Sequence, residues 1–273
     1  MTVPAKPPAP VAITASAQPM QGGAVLDFGF PTATGLAVFK RGEALWLVFD
    51  RPGAVDLAAL VKAAPALTGL SRVETPFGTV LRLPNLTRMG SGQAGADVSG
   101  DGRKWQISIG PGREQRPTKV IDQRRESLAD GGASLLLQAT KPGPVIQLAD
   151  PEAGDSISVI PLTATGSGVA DGAAWPDFRV LPSFQGVVVV PISDRTRVEA
   201  LPNGVVVTTD GKPGSPPAPT VPQPISETEP PPAEGGAPAT IAAAPEPAAP
   251  ATPTQPGEAG GNAAPVTEVA GIF

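Results

Sequence analysis

The chain is expected to be mostly β: two tandem small sandwich-like or barrel-like modules with one short helix, then a disordered Pro/Ala-rich tail. Three observations predict this. Between about Gln21 and Gly211, apolar residues alternate with period two in short runs bounded by Gly, Pro, Asp or Asn. Those runs recur at a nearly constant offset. The 36 prolines and 32 glycines are unevenly spread along the 273 residues, and the tail is rich in them.

The first twenty residues, "MTVPAKPPAPVAITASAQPM", read as a linker. They lack a basic start followed by an apolar run of about 7–15 residues, so they are not a signal peptide. The first module is placed at residues 21–115. It opens with "AVLDFGF" and continues into "LAVFKRGEALWLVFDRPG", Leu36 to Gly53. Here two apolar runs flank a corner at which Gly42 supplies the positive φ of a tight turn. Leu45, Leu47 and Phe49 point to one side of the second strand; Trp46, Val48 and Asp50 point to the other. Both sides are largely apolar, so this strand is central and covered on both faces. Lys40, Arg41 and Glu43 then form a solvated tip.

"DLAALVKAAPAL" is the one helical pattern. Asp56 is its candidate N-cap, and Leu57, Leu60, Val61 and Ala64 form its apolar face. The strand "GTVLRLP" and the hairpin "ADVSGDGRKWQISI" close the module. Residues 116–129 read as a linker inside the most basic segment, which carries Arg113, Arg116, Lys119, Arg124 and Arg125. That segment is either a solvated join or a contact for an anionic polymer. The second module, 130–211, holds "ASLLLQA", "SISVIPL", "FRVLP", "GVVVVPIS", "TRVEA" and "GVVVTTD", with an Asn203-Gly204 hairpin turn before the last run. The tail, 212–273, holds one Lys and six Glu, a charge of −5 equal to that of the whole chain. It cannot bury enough apolar surface to offset chain entropy, and is expected as an extended spacer.

The second module repeats the first. Ala24 of "AVLDFGF" aligns with Ala133 of "ASLLLQA", Pro52 with Pro161, and Pro84 with Pro191, at offsets of 109, 109 and 107 residues. Each copy then ends in a further hairpin. About 100 residues per copy suffices for a core of its own.

Composition excludes much chemistry. The chain has no Cys, His or Tyr, so thiolate nucleophiles, His-based triads and zinc-thiolate sites are absent. A metal would need oxygen ligands, and proton transfer would fall to Asp, Glu or Lys. The part before the tail is close to neutral, against the basic face that nucleic acid requires. No run of about 18 apolar residues occurs, so no membrane span is expected.

Three candidate sites follow. Arg41 could bind a carboxylate or phosphate bidentately beside an aromatic wall from Trp46, with Arg51 nearby in sequence. "DVSGDG" matches the first half of a calcium loop through Asp97, Ser99, Asp101 and Gly102. Position twelve is Ser108 rather than Glu, and the bland reading is a hairpin turn. "DPEAGD" gathers Asp150, Glu152 and Asp155, a carboxylate set that a glycosidase would need in a cleft rather than in a turn. Trp46, Trp105 and Trp175 serve either as sugar platforms or as core.

Modules of this size around "RGEALWLVFD" resemble the AMIN-type β-domains of bacterial envelope proteins, found on periplasmic amidases and at the start of secretins. The pattern also resembles the N-terminal region of alphaproteobacterial envelope proteins in which a Pro/Ala spacer leads into tetratricopeptide helices. The resemblance implies a periplasmic, non-catalytic module, without cofactor, that targets its protein to peptidoglycan or an envelope partner. With no signal peptide and no helical domain after "VAGIF", the chain is then expected to be an excerpt of a longer reading frame. The alternative is an assembly scaffold that pairs through strand edges.

Overall fold

The alternating runs form strands, and the strands form four main sheets. A computed structural model describes residues 7–89, 94–113, 116–127 and 133–209, all within one unit spanning Met1–Val221. The expected tail, 212–273, lies outside the described residues. The first half comprises β1 (Val11–Ala12), β2 (Thr14–Met20), β3 (Gly23–Gly29), β4 (Leu36–Arg41), β5 (Ala44–Phe49), β6 (Gly53–Ala54), helix α1 (Leu57–Ala63), β7 (Ser71–Val73), β8 (Thr79–Leu83), β9 (Gly95–Gly100) and β10 (Lys104–Gly110). The second comprises β11 (Lys119–Val120), β12 (Gln123–Ser127), β13 (Ala133–Leu137), β14 (Ile146–Ala149), β15 (Ser156–Ile160), β16 (Ser167–Gly168), β17 (Ala173–Ala174), β18 (Phe178–Val180), β19 (Ser183–Gln185), β20 (Val187–Pro191), β21 (Thr196–Leu201) and β22 (Gly204–Thr209).

Each half has an outer and an inner sheet. The outer sheets have the orders β2-β3-β10-β9 and β12-β13-β22-β21; the inner ones are β19-β4-β5-β8-β7 and β14-β15-β20-β18-β17. A short parallel pair sits at the start of each half, β1 with β6 and β11 with β16. The duplication is therefore topological as well as sequential. The register of β13 and β14 keeps the offset of 109, but β15 follows β5 at 111, because the turn after Asp150 is two residues longer than the one at Gly42, and β20 follows β8 at 108, so the prolines Pro52 and Pro161, and Pro84 and Pro191, are not structural equivalents. Leu26 faces Ile107 as Leu135 faces Val207. Val48 lies between Ala37 and Val80 as Val159 lies between Ile146 and Val188.

Three apolar cores separate the four sheets. In the first, Leu26, Phe28, Trp105 and Ile107 of the outer sheet meet Leu45, Leu47, Phe49 and Leu81 of the inner one. In the second, Leu135, Leu137, Val205 and Val207 meet Ile160, Val187 and Val189. The third joins the halves: Phe39, Trp46, Val48 and Val80 pack on Leu148, Ile157, Val159 and Val188. Strand β5 thus sends alternate residues into two cores, as its two-sided apolar pattern requires, and every residue in it is buried. The halves do not stand apart with a core each. They share one.

The shared core has approximate two-fold reciprocity. A Cβ on Gly78 would lie 3.1 Å from Ile146 Cδ1, and a Cβ on Gly186 would lie 2.6 Å from Ala37 Cβ. Gly78 is equivalent to Gly186, and Ala37 to Ile146, so the same contact is made twice in opposite senses. Further links cross the junction. Leu36 and Leu162 exchange both backbone hydrogen bonds at 3.0 Å, and β19 of the second half completes the edge of β4 in the first.

Two segments differ from expectation. Residues 11–20 are strand rather than linker: Ile13, Ala15 and Ala17 pack against the first core, while β2 takes its hydrogen bonds from β3. Small alanines hid this alternation, and Pro19 is tolerated because β2 is an edge. Residues 119–120 and 123–127 form β11 and β12 rather than a join; Arg124 and Arg125 mark an exposed edge strand, not a loop. The helix is present but shorter than the expected Asp56–Leu67: α1 ends at Ala63, and Pro65–Leu67 form a separate 3-10 turn. Asp56 accepts a 2.9 Å bond from the Ala59 amide, Leu60 and Ala64 are buried, and the helix stops where Ala64 precedes Pro65.

Gly186→Ala tests the shared core. Its φ of +82° and its contact with Ala37 both oppose a side chain. The expected cost is about 3 kcal/mol in denaturant unfolding. Gly42→Ala, at φ +57° with nothing near its Cβ, is expected to cost about 1 kcal/mol.

Candidate functional site

The Arg41 corner is a solvated tip only at Gly42 and Glu43, which are exposed; Arg41 and Lys40 are held. Arg41 Nε lies 2.8 Å from Asp150 Oδ2, and one terminal nitrogen lies 2.5 Å from Asp155 Oδ1. Arg82 pairs with Glu152, and its guanidinium carbon sits 5.8 Å from the Trp46 ring centroid. Lys40 donates to the Ala94 carbonyl at 3.0 Å. Two motifs singled out separately in the sequence, "KRGE" and "DPEAGD", are therefore one feature: a clasp at the rim of the shared core. Arg41 does engage carboxylates, but they belong to its own chain. Arg41 and Asp150 are also equivalent positions of the two repeats, so the pair sits on the pseudo-two-fold axis.

The turn that carries the carboxylates is preformed. Asp150 accepts from the Glu152 amide at 2.9 Å, the Gly154 amide bonds to the Asp150 carbonyl, and Gly154 has φ +73°. With all three carboxylates held by guanidinium groups, "DPEAGD" lacks the free acid and base that glycoside cleavage requires. Trp46 is fully buried, stacked on Phe39 at 6.0 Å, and Nε1 of Trp46 and Nη1 of Arg41 have no partner among the described residues. Trp105 is buried too, with Nε1 donating to the Thr34 carbonyl at 2.9 Å. Trp175 stacks on Phe178 beside the second core. Core packing accounts for Trp46 and Trp105, while Trp175 is half-buried at the margin of the second core.

Arg51 lies beyond the other end of β5, roughly 20 Å of strand from Arg41, and does not join it. Its neighbour Asp50 marks a second junction between the halves. Asp50 Oδ1 accepts from the Gly35 amide at 2.9 Å, and its Oδ2 would lie 2.8 Å from a Cβ on Gly143. Burial pushes the Asp50 carboxyl up; the Gly35 hydrogen bond and the Arg51 charge oppose the shift without cancelling it.

The calcium-like stretch does not form a loop. Asp97 and Ser99 lie in β9, spaced as in an extended strand, and Asp97 pairs with Arg113 at 3.0 Å. Asp101 closes the hairpin by accepting from the Arg103 and Lys104 amides at 2.8 Å each, which lowers its pKa. Among the described residues no group of three or more carboxylates is placed to hold a metal ion.

The outer face of the first outer sheet is open to solvent, and nothing in the sequence singled it out. Strand alternation sends Leu26, Phe28, Trp105 and Ile107 inward and leaves a row Ser16–Asp27–Gln106–Ser99 across four strands. Gln106 Nε2 donates to Asp27 Oδ1 at 2.8 Å. The row borders a shallow depression of about 440 Å³ lined by Thr14, Ser16, Asp27, Ser99, Lys104 and Gln106. Its polar alternation was legible in "KWQISI" and "AVLDFGF"; its assembly into one face needed the register. The chain matches no protein-family model, no curated protein and no solved structure.

Two outcomes test these junctions. Arg41→Ala is expected to cost about 3 kcal/mol in chemical unfolding, because it strands the buried Asp150 carboxylate. Asp50→Asn is expected to raise Tm at pH 7. The raised pKa means that the folded chain binds this proton more tightly than the unfolded one. Ionised Asp50 therefore weakens the fold at neutral pH, and the advantage of the amide substitution shrinks as pH falls through that raised value.

Proposed function

We propose that this chain is a non-catalytic binding module of the bacterial cell envelope and that its ligand is cell-wall glycan. The observation that carries this reading is the open row Ser16–Asp27–Gln106–Ser99. It offers hydroxyl, amide and carboxylate groups on a rigid, gently recessed sheet face. Such a face suits a polyhydroxylated polymer, which exchanges hydrogen bonds with water for hydrogen bonds with protein. The charged groups on which an enzyme or a calcium loop would draw are engaged in the clasp and the hairpin turn. The resemblance of "RGEALWLVFD" to AMIN-type modules supports a periplasmic setting and a role in targeting. Among the described residues no helix is long and apolar enough to cross a membrane.

The test is co-sedimentation of the full chain with purified sacculi, with and without calcium. Retention is expected, independent of calcium. Gln106→Ala and Asp27→Ala are each expected to weaken it by about three- to tenfold, the worth of one or two hydrogen bonds, without changing Tm. Absence of retention, or retention that both variants leave intact, would move the search to a protein partner.

A further inference from the structure

The outer faces of the two outer sheets hold equivalent positions, and they have diverged. By register, the row Ser16–Asp27–Gln106–Ser99 corresponds to Arg124–Leu136–Val206–Glu199 on β12, β13, β22 and β21. Leu201, opposite Gly204, likewise stands where the first half has Asp101, opposite Lys104. Three polar residues, Asp27, Gln106 and Asp101, thus have apolar counterparts in Leu136, Val206 and Leu201. Alternation sends Leu135, Leu137, Val205 and Val207 into the second core and turns these three outward. They belong to none of the three cores, and each keeps part of its surface open.

The two ends of the second row carry opposite charges. Arg124 lies on β12 at one rim and Glu199 on β21 at the other; both are exposed, and neither makes an ion pair among the described residues. They stand three strand spacings apart, about 14 Å, so they do not meet within one chain. Arg197, two residues before Glu199, turns back to the Asp194 and Thr196 carbonyls at 2.9 and 3.4 Å.

We propose that this face packs on the same face of a second copy of the chain. A two-fold axis parallel to the strands, running between β13 and β22, lays the second sheet over the first with its strand order reversed. Leu136 then sits over Val206 of the other copy, and Val206 over its Leu136. At both rims the same axis sets Arg124 over Glu199. An axis across the strands would set each charge over its own kind, so the row selects the first arrangement. Sheets packed face to face lie about 10 Å apart with their strands nearly aligned, a gap that a Leu and a Val fill and that an Arg and a Glu can span. The arrangement is isologous and closes at two copies. The face measures only about 15 by 20 Å, so the dimer is weak and reversible. It leaves the Ser16–Asp27–Gln106–Ser99 row of each copy free and does not depend on glycan binding.

Sedimentation velocity of the full chain from low micromolar to millimolar concentration tests this. A reversible dimer is expected, weakened by salt. Leu136→Asp, which installs the residue of the first half, is expected to raise the dimer Kd about tenfold or more. Arg124→Glu and Glu199→Arg each place like charges at both rims, and each is expected to raise it about three- to tenfold. The double reversal restores the unlike pairs and is expected to recover the original Kd. Should Leu136→Asp fail to melt cooperatively, the charge reversals decide. A monomer at every concentration overturns the proposal and leaves the face to another partner. A dimer indifferent to folded Leu136→Asp or to the single reversals, or one that the double reversal does not recover, also overturns it.

Discussion

A strand that is apolar on both faces must be covered twice. Strand β5 is the clearest instance here: Leu45, Leu47 and Phe49 need one cover, and Trp46 and Val48 need another. The outer sheet of the same half, with α1, supplies the first. A single copy of the module has nothing with which to supply the second. The duplicated copy does, because its own inner sheet has the same surplus face in Leu148, Ile157, Val159 and Val188. Hydrophobic burial at roughly 25 cal/mol per Å² makes this mutual covering the term on which the rest of the arrangement depends. The clasp, the reciprocal glycine contacts and the crossing of β19 all sit around it.

Duplication also permits what a symmetric pair of separate chains does not. On a true two-fold axis a residue meets itself, and a charge there would meet its like. In this chain the two positions have diverged into Arg41 and Asp150, which attract. Breaking a buried pair is costly, yet the pair adds little net stability over a well-packed apolar substitute. The clasp therefore serves the register of the two halves more than their affinity. Divergence shows elsewhere as well. The first half packs Leu60 and Ala64 of α1 into its core, whereas the second half has no helix among the described residues and stacks Trp175 on Phe178 beside its core. The first-half counterpart of β19 contains Pro76 and pairs with nothing among the described residues.

Burial of these groups shapes what the molecule can present to others. Arg41, Trp46 and the three carboxylates of "DPEAGD" look like binding chemistry when read singly, and they have that character because they bind one another. The row Ser16–Asp27–Gln106–Ser99 on the first outer sheet, by contrast, carries ordinary polar residues and no motif; it is a product of alternation and register.

Much of the fold was legible in the chain. Period-two runs placed the main strands, Asp56 marked the start of the helix though its end was read four residues too late, Gly42 marked the tight corner, and offsets near 109 residues revealed the repeat. These signals are local, set by the pleat of a strand or the geometry of a cap, and so they survive in one dimension. Edge strands were harder. β2 and β12 carry small or charged residues because one side faces water, and that composition is shared with linkers. Which groups meet across the halves was decided only in three dimensions. Arg41 and Asp155 lie 114 residues apart, and no local pattern encodes a partner at that distance. Their meeting follows from the packing of two apolar sheets, which brings one hairpin corner onto the other. Local chemistry determined the strands of this protein; the need to cover both faces of its inner sheets decided which charges those strands would bury.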